Sequence, residues 1–134
     1  MIVLDSSFLI AYHNTRDLHH AEAARAMVHL AAGEWGTALL LEYVFLEVVT
    51  VLRARRDAAT ALIVSEQLLE AREIEFVPCS EMFFETLSTF RREPAGLSFT
   101  DAAIVTVARR ERKGYVATFD TDFRSVNGVT VIPA

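Results

Sequence analysis

Residues 1–10 read MIVLDSSFLI: Ile2, Val3 and Leu4 run straight into Asp5, and Ser6 and Ser7 follow. A short, continuous apolar run of this kind is the pattern of a strand covered on both faces. Asp5 then stands at the carboxyl end of the strand, and the serines lead into a helix. Four more runs have the same character: Ala38 to Leu41, Ile74 to Val77, Tyr115 to Phe119 and Val129 to Ile132. Helical patterns fill the gaps. Leu18 to Ala31 is closed by Gly33, Tyr43 to Arg55 and Ala58 to Glu70 meet at the cap Asp57, and Ser80 to Arg92 stops before Pro94. The clearest helix is Ser98 to Lys113. There Ser98 and Asp101 make a capping box, Ile104, Val105 and Ala108 form the stripe, and Gly114 is the stop. Strands alternating with helices predict an α/β fold with a mainly parallel sheet. In such sheets ligands sit beyond the carboxyl ends of the strands, where the strand order reverses.

A chain of 134 residues is the size of one ordinary domain, and no repeat, linker or low-complexity tract divides it. Hydrophobic residues make up 52% and charged ones 23%, which excludes a disordered chain. The longest apolar stretch, Thr37 to Leu52, is interrupted by Glu42 and Glu47, so no membrane span is expected. The N-terminus carries no basic leader or cleavage pattern, and Cys79 is the only cysteine. A cytoplasmic protein is the expectation. Net charge is −5, a poor profile for binding nucleic acid by charge alone, although twelve of the thirteen cations are arginine.

Four carboxylates fall where the fold would gather them. Asp5 and Asp120 follow strands, with Asp122 two residues further on in FDTDF. Asp101 is placed on the inward stripe of its helix, and Glu47, within VFLEVVTVL, on an apolar helix face that is expected to turn inward. Without a counter-ion these groups would repel one another and some would hold protons with raised pKa values. Clusters of oxygen ligands suit Mg²⁺ and Mn²⁺, which orient phosphate oxygens, activate water and stabilise a leaving alkoxide. Each residue also has a plainer reading: Asp5 as a helix cap, Asp101 as a capping-box member, Asp120 and Asp122 as turn formers, Glu47 as a surface residue. Glu42, about 140° around the helix from Glu47, is a helix-start residue at the rim of the cleft.

In order and separation, a strand ending in Asp5, then EVVTVLR, LSFTDA and ATFDTDF together resemble a PIN domain, most of all the VapC-like toxin ribonucleases. The resemblance spans Ile2 to about Ile132. It implies a three-layer α/β/α sandwich with a five-stranded parallel sheet, and metal-dependent cleavage of single-stranded RNA that leaves a 5′-phosphate and a 3′-hydroxyl. By position, Asp5, Glu47, Asp101 and Asp120 match the four acidic residues of the family, serving catalysis and Mg²⁺ (or Mn²⁺) binding. Ser6 matches a small hydroxyl residue near the metal, and Asp122 is auxiliary because relatives vary there. Glu42 stands where the family often has a neutral polar residue. The resemblance further implies a small antitoxin partner and a homodimer.

The remaining features point elsewhere. His13, His19, His20 and His29 have no metal-ligand spacing, and the His19–His20 pair is read as a solvated helix start. Arg109, Arg110, Arg112 and Lys113 complement a helix C-terminus, with phosphate contact shared with Arg53, Arg55 and Arg56 as the functional alternative. Phe83, Phe84 and Phe90 are assigned to the core, and Cys79 to packing. Two rival functions remain. A haloacid-dehalogenase-like phosphatase would need a second aspartate two residues after Asp5, where the chain has Ser7. A catalytically silent interaction module would not need all four acidic positions filled.

Overall fold

The structure, a computed structural model, describes residues 1–94 and 96–134. Its strands are β1 (Ile2–Leu4), β2 (Ala38–Leu41), β3 (Ile74–Val77), β4 (Tyr115–Ala117) and β5 (Thr130–Ile132). Its helices are α1 (Ser6–His13), α2 (His20–Ala31), α3 (Glu42–Arg55), α4 (Ala58–Glu70), α5 (Phe83–Arg92) and α6 (Phe99–Ala108), with short 3₁₀ turns at Ser80–Met82 and Thr121–Ser125. All five strands pair in parallel in the order β3-β2-β1-β4-β5. The chain therefore winds outward from β1 to β3, then returns to place β4 on the other side of β1. Right-handed crossovers put α1–α4 on one face and α5 and α6 on the other, and the packing agrees: α1 lies against α2 and α3, α3 against α4, and α5 against α6. This is an α/β/α sandwich with a wholly parallel sheet.

The central strands are as apolar as the sequence indicates: every residue of β1 and β2 is buried. Removing such side chains from water stabilises by roughly 1.5–3 kcal/mol each. β3 departs from the expectation of two covered faces, because it is an edge strand and leaves Glu75 and Phe76 exposed. Two other boundaries shift for local reasons. β4 stops at Ala117 because side-chain hydroxyls then take up the backbone amides: Phe119 N donates to Ser7 Oγ and Asp120 N to Thr118 Oγ1. α6 ends at Ala108 rather than Lys113, since Arg110 N and Glu111 N bond three residues back instead of four. Arg109 then reaches sideways to the Asn127 carbonyl and to Glu93.

Two assignments on helix faces are overturned. Phe83, Phe84 and Phe90 are 41%, 80% and 44% exposed, because α5 turns Thr86 and Thr89 inward toward α6. There Thr106 Oγ1 donates to Thr89 Oγ1 at 2.7 Å. In α3 the inward stripe is Val44, Val48 and Leu52, all fully buried, so Glu47 lies on the flank and is exposed. VFLEVVTVL holds more apolar residues than one helix face can bury, and Leu46 is left outside as well.

Candidate active site

The strand order reverses at β1, whose neighbours β2 and β4 precede and follow the turn in chain direction. Asp5 lies just beyond β1, its amide donating to the Ala117 carbonyl at the end of β4. The carboxylate is 3% exposed, and although Asp5 occupies the N-cap position of α1, its side chain makes no capping bond. It is held instead by two hydroxyls on one oxygen: Thr118 Oγ1 donates to Oδ2 at 2.6 Å and Ser7 Oγ at 2.8 Å. Each hydroxyl also accepts a backbone N–H, so both protons are directed at Asp5. Burial pushes the Asp5 carboxyl above its ordinary range; the two hydroxyls draw it back, and the charge of Glu47 raises it further.

Asp101 opens α6 in the capping box that the sequence indicates: its amide donates to Ser98 Oγ at 3.1 Å, and its Oδ2 accepts from Ser98 N at 3.2 Å. Its pKa is pushed up to about 6, first by burial and then by the charge of Asp5, with a further contribution from Asp120. Asp120 is half-buried, and its Oδ1 accepts the Asp122 amide at 2.9 Å, which makes it the cap of the 3₁₀ turn. Asp122 is exposed. Glu47, though exposed, is fixed at the mouth of the site, where Ser6 Oγ donates to its Oε1 at 2.6 Å. Ser6 itself is buried.

The four carboxylates are linked electrostatically: the charge of Glu47 acts on Asp5, and those of Asp5 and Asp120 act on Asp101. Among the described residues no ion pair reaches any of the four. Nor, among the described residues, do any three His, Cys, Asp or Glu side chains stand as a group that could hold a metal ion. The donor set is nevertheless all oxygen, partly desolvated and uncompensated by a protein cation, which suits a hard divalent ion.

Glu42 belongs to a different contact: its Oε1 accepts the Cys79 amide at 2.9 Å, tying the start of α3 to the end of β3. Two groups escaped the sequence reading. Ser7 and Thr118 orient Asp5, and the signal for Thr118 was its place immediately before FDTDF, at the strand's carboxyl end. His19 stands at the start of α2 as expected, its N-cap and partly exposed, but it also makes a contact that the sequence did not indicate. Its ring stacks on Phe119 with centroids 4.4 Å apart and planes 6° from parallel, and Phe119 in turn lies over the buried Phe8. A cleft of about 250 Å³ opens here, lined by Ser6, Glu47, Val51, Arg55, His19 and Phe119 among others. Larger hollows, about 400 Å³ between α3 and α4 and about 560 Å³ beside Trp35, contain none of the four carboxylates. Charge rather than size marks the site.

Comparison with known proteins identifies the family and the fold. Residues 2–129 match the PIN domain family. A VapC ribonuclease of Archaeoglobus fulgidus is 23% identical over 124 residues, covering 90% of this chain and 78% of that protein. Among solved structures, VapC20 of Mycobacterium tuberculosis, a toxin that cleaves the sarcin–ricin loop, superposes with a TM-score of 0.78 at 22% identity, over 92% of this chain and 93% of that one. A protein of Pyrobaculum aerophilum superposes with a TM-score of 0.65 at 18% identity, over 98% and 88% of the two chains. Family match, strand order and site position lead to one conclusion: the chain belongs to the PIN domain family.

Proposed function

We propose that this protein is a Mg²⁺- or Mn²⁺-dependent endoribonuclease that hydrolyses single-stranded RNA, and that it is the toxin of a toxin–antitoxin pair. The observation that carries the reading is Asp5: a buried carboxylate at the strand-order reversal, electrostatically linked to Glu47 and Asp101, with no cation paired to any of them among the described residues. Family membership and the VapC relative give the substrate class.

Asp5 and Asp101 are assigned as the principal metal ligands, with Glu47 and Asp120 completing the set. A divalent ion bound there supplies Lewis-acid polarisation of the phosphodiester and charge for the leaving oxygen. The chain's own contribution is orientation. Ser7 and Thr118 fix the plane of the Asp5 carboxylate, Ser6 holds Glu47, and the capping box holds Asp101 at the helix end. Because burial and its neighbours push Asp101 up to about 6, that group gives up its proton more readily when a cation is present than when it is absent. In-line attack by water leaves a 5′-phosphate and a 3′-hydroxyl.

The deciding assay incubates purified protein with single-stranded RNA and with a small phosphate ester, in Mg²⁺, in Mn²⁺ and in EDTA. Metal-dependent RNA cleavage that Asp5→Asn abolishes is expected. Cleavage of the ester alone would indicate a phosphatase, and no cleavage in any metal would leave a silent interaction module. For the toxin role we propose a small cytoplasmic antitoxin that lays an arginine into the acidic cluster, and pairing of two copies of this chain. A neighbouring gene encoding a small protein that blocks cleavage is the expected partner.

A further inference from the structure

The cleft beside the carboxylates has a cation and an aromatic stack that the proposed cleavage chemistry does not use. We infer that it is a binding subsite for the nucleotide adjacent to the cleaved bond, with the His19 imidazole as the base platform and the Arg55 guanidinium as the contact for the next phosphate. The inference rests on the ribonuclease reading and deepens it.

The cleft runs along one stripe of α3. Glu47, Val51 and Arg55 are spaced i, i+4 and i+8, and all three line it. At 1.5 Å of rise per residue the acid and the cation stand about 12 Å apart along the helix. An occupant that touches both ends would be anionic at Arg55 and bridged by a cation at Glu47, as a short stretch of ribonucleotide backbone is. Arg55 is exposed, and among the described residues it has no hydrogen-bond or ion-pair partner, whereas its neighbour Arg56 donates to Asn14 Oδ1. A guanidinium free to bind phosphate matters here, since the net charge of −5 and the acidic cluster both repel RNA.

The opposite wall is preorganised. His19 lies parallel on Phe119, and Phe119 stacks over Phe8 at 6.0 Å, so three rings form a ladder anchored in the core. The ladder keeps the imidazole in place before any ligand arrives, and bases stack on such platforms without needing a particular sequence. Asp17 also lines the cleft, but its Oδ1 accepts the His19 amide at 2.9 Å and so holds the platform's backbone.

The test is steady-state cleavage of a fluorescein-labelled single-stranded oligoribonucleotide in Mn²⁺ by the whole chain, with melting temperatures recorded for every variant. His19→Ala is expected to raise KM about tenfold, with kcat changed by less than about twofold. His19→Tyr, which keeps a stacking face, is expected to restore KM. Arg55→Gln is expected to raise KM and to flatten its dependence on salt. Wild-type KM in both His19→Ala and Arg55→Gln would overturn the subsite and leave the cleft to a protein segment. So would a His19→Tyr variant as impaired as His19→Ala with an equal loss of melting temperature, since His19 would then only anchor its loop. If the wild-type protein cuts no RNA in any metal, the ribonuclease reading fails and the subsite with it.

Discussion

Thr118 Oγ1 donates to Asp5 Oδ2 at 2.6 Å, joining the end of β4 to the end of β1 across the point where the strand order reverses. The same oxygen accepts from Ser7, so the two hydroxyls partly offset the burial that raises the Asp5 pKa. The proposed metal site would depend on that balance.

Replacing Thr118 with valine removes one of the two donors at nearly constant volume. A hydrogen bond to a charged group contributes about 1.5–3 kcal/mol, or roughly one pKa unit and upward. The Asp5 pKa rises further, so the acidic limb of the pH–rate profile for RNA cleavage is expected to move to higher pH. The Asp120 amide also loses its acceptor, and stability falls by about 1–3 kcal/mol. An unmoved acidic limb would show that Thr118 does not control the ionisation of Asp5.

Asp101 gives a stability prediction with a definite sign. Its folded pKa, about 6, lies above the ordinary value of 3.8, so between those values the folded state binds more protons than the unfolded one. The metal-free protein is therefore expected to gain stability as pH falls from 7 toward 4, by about 1 kcal/mol once solvent screening of this half-buried group is allowed for. Asp101→Asn keeps the cap acceptor but carries no charge. In EDTA at pH 8 it should melt higher than wild type and lose Asp101's share of this pH dependence, leaving that of Asp5, while cleavage is lost. Thermal melts across pH, with and without Mn²⁺, provide the check.

Glu47 is exposed, so its removal has little structural cost. Glu47→Gln still accepts from Ser6 and is expected to change metal-free stability by less than about 0.5 kcal/mol, yet to weaken Mn²⁺ binding by calorimetry and lower kcat. Ser6→Ala, which frees the Glu47 side chain, should give a milder form of the same defect. A large loss of stability with normal cleavage would make Glu47 a structural residue.

Gly114 marks the closest backbone approach near the start of β4. A Cβ there would lie 2.5 Å from the Gly128 carbonyl oxygen and 2.7 Å from that of Ala108, both rigid backbone atoms. Gly114→Ala is expected to destabilise by about 3 kcal/mol, measured by urea unfolding. The glycine ends no long helix; it lets the chain leaving α6 pass beneath the entrance to β5.

Much of this was legible in the sequence because local chemistry decided it. Three of the five strands, α4 with its Asp57 cap and the Ser98–Asp101 capping box have the limits the residues indicate, since an apolar run, a hydroxyl or carboxylate at a cap and a closing residue act within a few positions. The order of acidic residues at strand ends was legible for the same reason. What periodicity does not encode is which of several apolar faces is buried. α3 buries Val44, Val48 and Leu52 and leaves Glu47 outside, and α5 buries two threonines and leaves three phenylalanines in solvent. Those choices were made by the neighbouring helices.

The sequence by itself determined the alternation of strand and helix, the acidic residues at strand ends and the family, because each is written in contiguous residues. Only the tertiary structure decided that Thr118 and Ser7 share one oxygen of Asp5, that His19 stacks on Phe119, and that Glu47 reaches the site from an exposed flank. Apart from the Ser7–Asp5 bond, which spans two residues, these contacts join residues 41 to 113 positions apart in the chain, and no local pattern specifies that.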